Sequence, residues 1–480
     1  MKTRRYILFA MAALAFASCE KAIEKTAENE PSGEISTITF SATMDGKAPD
    51  SKAVIGTNPE TGKPLNFWVD GDEITVYSQG KGDSGTQSGF TFSTTLVANA
   101  SSADFTYTGD GWVDGTAYMA IYPATGSRAV NFTAQETVAA SGEYFYRMAA
   151  VDVPYSQTLV ANSFDRNAMV ATAYSTDNTF AFKSAVALLK FQVSGTDVVS
   201  GTIVSGNDES ISGRFRADLS ATSPYEPVLY SYQPTWEHNF IYFTIDDSTP
   251  LSTGTNYYVA VRPTTLSSGF KIYLNGKLVK TFTPTELVRN KIYNLGTLSV
   301  PVSTTEMALG FNFGRTALTG WPTVKDDATK SEGGKTCTFP LYGASYSFLL
   351  ADPTGASGAN IWWNSGIGIQ FNAAQRYLGL PAIENWKLSH VTVVHKDAVT
   401  KKSIIYGIVS NRTNASTPPT SVSSPETVEA EATTVTTTRG NHISCDFAIP
   451  SPVANTQYYV YRSGAGASYV PMVLLTYVPE

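Results

Sequence analysis

The sequence predicts an all-β fold, and three observations carry that reading. Apolar residues alternate with a period of two through most of the chain, which places successive side chains on opposite faces of a strand. The composition is rich in Thr, Ser, Val, Tyr and Phe, with clusters of Gly, Asn and Asp between the alternating runs. Amphipathic windows of helical period are scarce. At 480 residues the chain is long enough for about three domains of ordinary size.

The first residues speak to compartment rather than fold. Lys2, Arg4 and Arg5 form a positive segment, and Tyr6 to Ala17 form an apolar one too short to span a bilayer. Ala17 and Ser18 lead directly to Cys19, which resembles a bacterial lipobox, with Phe16 where leucine is usual. The resemblance implies a signal peptide over 1–18 and an acylated Cys19 that anchors the chain to the outer membrane; ordinary cleavage with an unmodified thiol is the alternative. Each buried CH₂ of such an anchor contributes roughly 0.8 kcal/mol. No later stretch is long and apolar enough for a transmembrane helix. Loss of the three cations of the signal takes the formal charge from −7 to −10. That balance argues against nucleic acid, which requires clustered Lys and Arg.

Residues 19–34 are polar and charged and read as a lipidated tether. Strand patterns follow at Ile35–Thr43, Glu73–Ser78, Phe90–Thr94, Tyr118–Tyr122, Val186–Val193 and Tyr257–Val261. Within Ile272–Val279, Asn275-Gly276 supplies the two positive-φ residues of a type I′ hairpin turn. Tyr118–Pro123 and Tyr257–Pro263 echo one another as aromatic-led strands closed by proline. A boundary falls near residue 300, where a strand ending at Leu298 is followed by Pro301 and a glycine- and tryptophan-rich style begins. Asn411 to Thr438 is a long polar loop carrying Pro418 and Pro419.

Catalytic signatures are missing from the pattern. His238, His390, His395 and His442 lack zinc-ligand spacing, and no G-x-S-x-G elbow occurs. Gly56 to Lys63 is one residue too long for a phosphate loop, and Pro64 replaces its Ser or Thr. Asp70-Gly71-Asp72-Glu73 reads as a turn after Trp68 rather than a calcium loop. Paired carboxylates for glycoside hydrolysis come from distant strands and leave no local trace. The reading is of a protein that binds, without enzyme activity, cofactor or metal.

Several stretches resemble the fimbrillin family of donor-strand-assembled surface lipoproteins. They are Ile38-Thr39-Phe40-Ser41-Ala42, Trp68 to Tyr77 (WVDGDEITVY), Phe180 to Phe191 (FAFKSAVALLKF), Tyr257–Pro263 and Leu287 to Gly296 (LVRNKIYNLG). The resemblance covers residues 35 to 300 and implies two tandem fimbrillin-type β-sandwich domains, 35–180 and 181–300. A C-terminal β-sandwich or jelly-roll domain, 301–480, would follow, resting on Tyr377 to Glu384 and Leu388–Val393. It also implies that the first strand, with Ile35, Ile38, Phe40 and Ala42 as its marker residues, leaves after a protease cuts at Lys47 or Lys52. Another subunit's extended segment then takes its place. For such exchange to be favourable, the segment should lie at a sheet edge.

The added third domain departs from a simple stalk subunit and points to a tip or accessory adhesin of the fimbrium. Its partners would be other pilin subunits and a host or bacterial surface glycan or protein. A monomeric surface glycan-binding lipoprotein is the alternative. Trp321, Trp362, Trp363, Asn364, Tyr377 and Trp386 are the candidate ligand residues, because sugars stack their C–H faces on aromatic rings. Alternation puts Trp362 and Trp363 on opposite faces. Cys337 and Cys445 lie in strand-like runs, as a disulfide or as two buried thiols.

Overall fold

The computed structural model describes residues 36–44, 54–57, 64–79, 86–124, 129–131, 136–137, 144–145, 148–195, 197–219, 226–231, 236–245, 249–323, 335–351, 361–372, 376–397, 403–410, 427–431, 435–436, 442–464 and 466–480. Cys19, Ile35, Lys47 and Lys52 lie outside them, as does most of the polar loop from Asn411 to Thr438. Among the described residues the protein is all-β, broken by one 3₁₀ turn at Arg166–Ala168. No helix among them is long and apolar enough to cross a membrane.

The chain opens with β1 (Ser36–Met44), β2 (Glu73–Gln79), β3 (Phe90–Ser93), β4 (Ser102–Gly109) and β5 (Ala117–Tyr122). Strands β6 (Met148–Val153) and β7 (Ser156–Thr158) then depart to neighbouring sheets. Strands β8 (Ala171–Ser175) and β9 (Thr179–Ser184) return and close a barrel in the order β1-β9-β8-β5-β2-β3-β4. The inward-facing residues, among them Phe40, Trp68, Ile74, Phe105, Met119 and Phe182, fill its interior. The ring of strands is closed at β1, which meets β9 over Ser41–Met44.

Next come β10 (Ala187–Ser194), β11 (Ser200–Ser205), β12 (Ser212–Asp218), β13 (Glu237–His238), β14 (Phe240–Thr244), β15 (Tyr257–Val261), β16 (Phe270–Leu274), β17 (Lys277–Phe282) and β18 (Ile292–Ser299). A small sheet of β15-β10-β18 packs on β14-β11-β16-β17, and Leu189, Phe191, Ile203, Phe243, Val259 and Ile272 lie between them. The hairpin joining β16 to β17 has φ of +46° at Asn275 and +77° at Gly276, as the Asn-Gly turn requires. A Cβ on Gly276 would come within 2.4 Å of the end of the Leu309 side chain, which would have to shift, while the positive φ itself calls for glycine there.

The last section holds β19 (Met307–Asn312), β20 (Lys335–Leu341), β21 (Ala344–Ala351), β22 (Ile361–Asn364), β23 (Gly368–Phe371), β24 (Arg376–Gly379), β25 (Trp386–Asp397), β26 (Ser403–Ser410), β27 (His442–Ala448), β28 (Tyr458–Gly464) and β29 (Ser468–Pro479). One layer runs β20-β21-β24-β28-β26. The other is built on β29, which bonds β19, β23 and β25, and β25 bonds β27. Phe311, Phe348, Leu378, Val393, Ile408 and Val473 fill the space between them. This layer continues into the preceding section through the pair Lys277↔Met307, forming a sheet of eleven strands.

Pairing also links segments far apart in sequence. Strand β6 pairs antiparallel with β12, Val151 opposite Phe215, and β7 pairs parallel with β14. A buried cluster of Phe240, Tyr242, Tyr273, Ala308, Met472 and Leu474 fastens the last section to the one before it. Lys271 and Tyr273 both reach Glu306 at this junction, the lysine at 2.7 Å.

Candidate functional site

Strand β1 shows the alternation its sequence demands. Phe40, Ala42 and Met44 are buried and Ile38 is half-buried, while Thr37, Thr39, Ser41 and Thr43 face solvent. Phe40 is the hub of an aromatic cluster. Its ring centroid lies 4.9 Å from those of Tyr118 and Phe180, 5.4 Å from Phe92 and 5.8 Å from Trp112. On the outer face Thr37 meets Thr108 and Thr39 meets Thr106 at 3.3 Å, and Ser41 Oγ donates to Asp104 at 2.6 Å. The Trp68 indole N–H donates to the Ala42 carbonyl at 3.0 Å.

The expectation of a sheet edge is corrected by the backbone pairing. Antiparallel to β4, β1 runs in register from Ser36↔Gly109 to Thr43↔Ser102. Parallel to β9 it pairs over Ser41↔Thr179 to Met44↔Phe182. Its first half therefore has one neighbour and its second half two. Closure of the barrel is the reason: an edge strand long enough to reach β9 becomes an interior one. Were β1 absent, the barrel would be open between β4 and β9, with a slot floored by the partners of Phe40 and bounded by two unpaired backbones.

The Asp70-Gly71-Asp72 segment is a turn, as the sequence indicates. Gly71 has φ of +74°, and Asp72 accepts from the Val69 N–H at 2.9 Å and from Tyr122 Oη at 3.2 Å. Burial raises the Asp72 pKa, opposed by the Val69 bond and by Arg166. No group of three or more His, Cys, Asp or Glu with metal-binding placement occurs among the described residues.

The C-terminal candidates are mostly core. Trp321 packs against Phe313 and Phe348, and its indole donates to Thr338 O at 2.7 Å. Trp363 donates to Phe313 O at 2.9 Å on the same inner face. Trp362 is buried on the opposite face, and Tyr377 lies buried against Tyr459 and Leu349. These four therefore present no ring to a ligand, which corrects the reading of a tryptophan-lined sugar site. Trp386 is half-buried, and Asn364 bonds Gln370 at 3.1 Å. Cys337 and Cys445 are buried thiols that form no disulfide, one in each layer of this sandwich, so the disulfide alternative is corrected as well.

A cavity that the sequence did not indicate opens where the three sections meet. It is about 240 Å³, lined by Asp152 to Ser156, by Gly213 and Arg214, by Trp236 and His238, and by His442. Arg214 is bound to Asp152 through Nε at 3.0 Å and Nη2 at 3.5 Å, and its guanidinium lies 5.6 Å from the Trp236 ring centroid. The Tyr155 ring sits edge-on to both His238 and His442, at 4.9 and 5.7 Å. His238 Nδ1 and Ser444 Oγ share a hydrogen bond across the joint. Burial holds His238 down at about 3 and His442 at about 4. These residues are spread from position 152 to position 442, and no spacing rule connects them.

No family model matches the chain, and no curated protein matches it. Solved structures are similar at a low level. A "putative cell adhesion protein" of Bacteroides ovatus is 12% identical over 56% of this chain and 96% of its own, with a TM-score of 0.30. One from Bacteroides uniformis is 15% identical over 54% and 92%, with a TM-score of 0.28. The C-terminally truncated tip fimbrial protein Mfa3 of Porphyromonas gingivalis is 10% identical over 55% and 97%, with a TM-score of 0.24. Scores and identities this low carry no argument about family or activity.

Proposed function

We propose that the chain is a non-enzymatic surface subunit of fimbrial type, a tip or accessory adhesin anchored through an acylated Cys19, that docks on its neighbour by exchanging β1 for a partner's strand. The observation behind this reading is that β1 alone joins β4 to β9, so its departure would open a slot between them. Its two backbones and its aromatic floor are filled by a single strand that belongs to no other sheet. An incoming segment would have to repeat the pattern of β1, with a large ring at the place of Phe40 and small hydroxyl residues on the outer face. Baring the slot is costly, since burying a phenylalanine side chain is worth about 1.5–3 kcal/mol. Exchange is therefore driven by the entering strand and not by cleavage alone.

Strand β29 is held too firmly to be offered to a neighbour. It is bonded along both sides and buried on both faces, so its release would dismantle the sandwich built around it. The rival reading is a monomeric lipoprotein with a permanent β1, and the observation in its favour is the second neighbour over Ser41–Met44, which removes the sheet edge that exchange calls for.

Trypsin treatment of the full chain separates the two. Exchange calls for cleavage after Lys47 or Lys52, seen by mass spectrometry, and for displacement of the 36–44 strand when a β1-like peptide is supplied. An uncut chain after prolonged digestion would support the monomer.

A further inference from the structure

The joint between the three sections offers a second recognition element, independent of whether β1 leaves. Its walls combine two kinds of chemistry. Val153, Pro154, Tyr155 and Trp236 supply apolar and aromatic surface, and Asp152, Arg214, Ser156, His238 and His442 supply polar groups. Charge is balanced within the wall, because Arg214 is held by Asp152 in a two-point contact. Both histidines are neutral at physiological pH; His238 Nδ1 is engaged with Ser444 Oγ, which leaves its Nε2 and the His442 ring as the imidazole groups for a ligand. A cavity of about 240 Å³ falls below the ~300–1,000 Å³ that encloses drug-sized ligands. That volume suits one ring.

Among the described lining residues the only full charges are those of Arg214 and Asp152, which hold one another, so neither an anion nor a cation is favoured. A purely apolar ligand would match only the side of the wall formed by Val153, Pro154, Tyr155 and Trp236 and would make no hydrogen bond to its polar side. The remaining class has an apolar face and a rim of hydroxyls that both donate and accept. We propose that this cavity binds one uncharged sugar ring, as a free monosaccharide or as the terminal residue of a glycan. Aromatic surface from Tyr155 takes the C–H face, while Asp152, Arg214 and the imidazoles read the hydroxyls. Because its walls come from β6, β7, β12, β13 and β27, the site exists only when all three sections are docked.

The full chain, titrated by isothermal calorimetry and ligand-observed NMR with free glucose, galactose, mannose, xylose and N-acetylglucosamine and with their methyl glycosides, tests this. Saturable binding of at least one sugar is expected. The methyl glycoside binding as well as the free sugar would identify a glycan terminus, and weaker binding of the glycoside would identify the free sugar. Ser156→Trp, which fills the cavity from a half-buried position, should weaken binding at least tenfold. Asp152→Asn keeps the shape and removes the wall's negative charge beside Arg214, so it should shift preference at least tenfold from a methyl glucoside toward the matching methyl glucuronide. No saturable binding across the panel would overturn the proposal. So would binding undiminished in a folded Ser156→Trp chain, or an unchanged preference in Asp152→Asn.

Discussion

The first described strand and the last, β1 and β29, are both extended and apolar, yet they are held in opposite ways. Strand β1 gives one face to one core and leaves a row of hydroxyl side chains in solvent. Its loss would open one barrel. Strand β29 gives Val470, Val473, Leu475 and Tyr477 to the interior of its own sandwich and Met472 and Leu474 to the cluster beneath the preceding section. Its loss would remove a strand from the centre of the largest sheet and a face from the joint. The difference teaches where strand exchange is physically open. A strand that serves one core can be replaced by another of like pattern, whereas a strand that serves two cannot leave without both.

Substitutions should expose that asymmetry. The largest effect is expected from Val473→Asp, which places an unpaired charge in a fully buried position of β29. A loss of about 4 kcal/mol or more should abolish the cooperative unfolding transition of the C-terminal half, read by circular dichroism and proteolysis. Phe40→Ala should cost about 3–5 kcal/mol. Its loss should fall on the barrel alone, with amide exchange in β25 and β29 unchanged. If β25 and β29 loosened too, the two strands would not differ as described.

The smallest expected effect concerns pH at the joint. Unfolded, each imidazole titrates near 6.5. Folded, burial holds His442 at about 4 and His238 at about 3, with Lys396 and Arg214 also opposing protonation of His442 and Asp152 favouring it. Between pH 6.5 and 4 the unfolded chain thus binds more protons, and stability rises with pH across that window. The apparent Tm should be lower at pH 4.5 than at pH 7, and substituting both histidines with glutamine should flatten the slope. A slope that survives the double substitution would assign the dependence to carboxylates elsewhere.

Much of the fold was legible in the sequence where the signal is local. The alternation of the β1 sequence matches its burial, with Phe40 and Ala42 inward and Ile38 half-buried on the same side, because a strand has only two faces. Asn275-Gly276 announced its hairpin because few other pairs accept two positive φ angles. The rest depends on contacts across long separations. Nothing in Ser41–Met44 says that β9, more than a hundred residues later, will lie alongside and turn an edge into an interior strand. The tryptophans misled for a related reason: Trp321 and Trp363 have the amphipathic chemistry of a sugar platform, but their indole N–H groups are satisfied by carbonyls of the same sandwich. The joint cavity was invisible because Asp152, Arg214, His238 and His442 converge only after three sections have folded and docked.

The central claim is that β1 occupies a replaceable slot, and peptide re-entry tests it most directly. A fluorescent peptide with the sequence of residues 36–44 would be added to the chain before and after trypsin cleavage and followed by anisotropy and by Tm. The account predicts saturable binding to the cleaved chain only, abolished when the peptide carries Ala at the place of Phe40, together with recovery of the barrel's stability. Equal binding before and after cleavage, or a cleaved chain that keeps its own strand and ignores an excess of peptide, would contradict it.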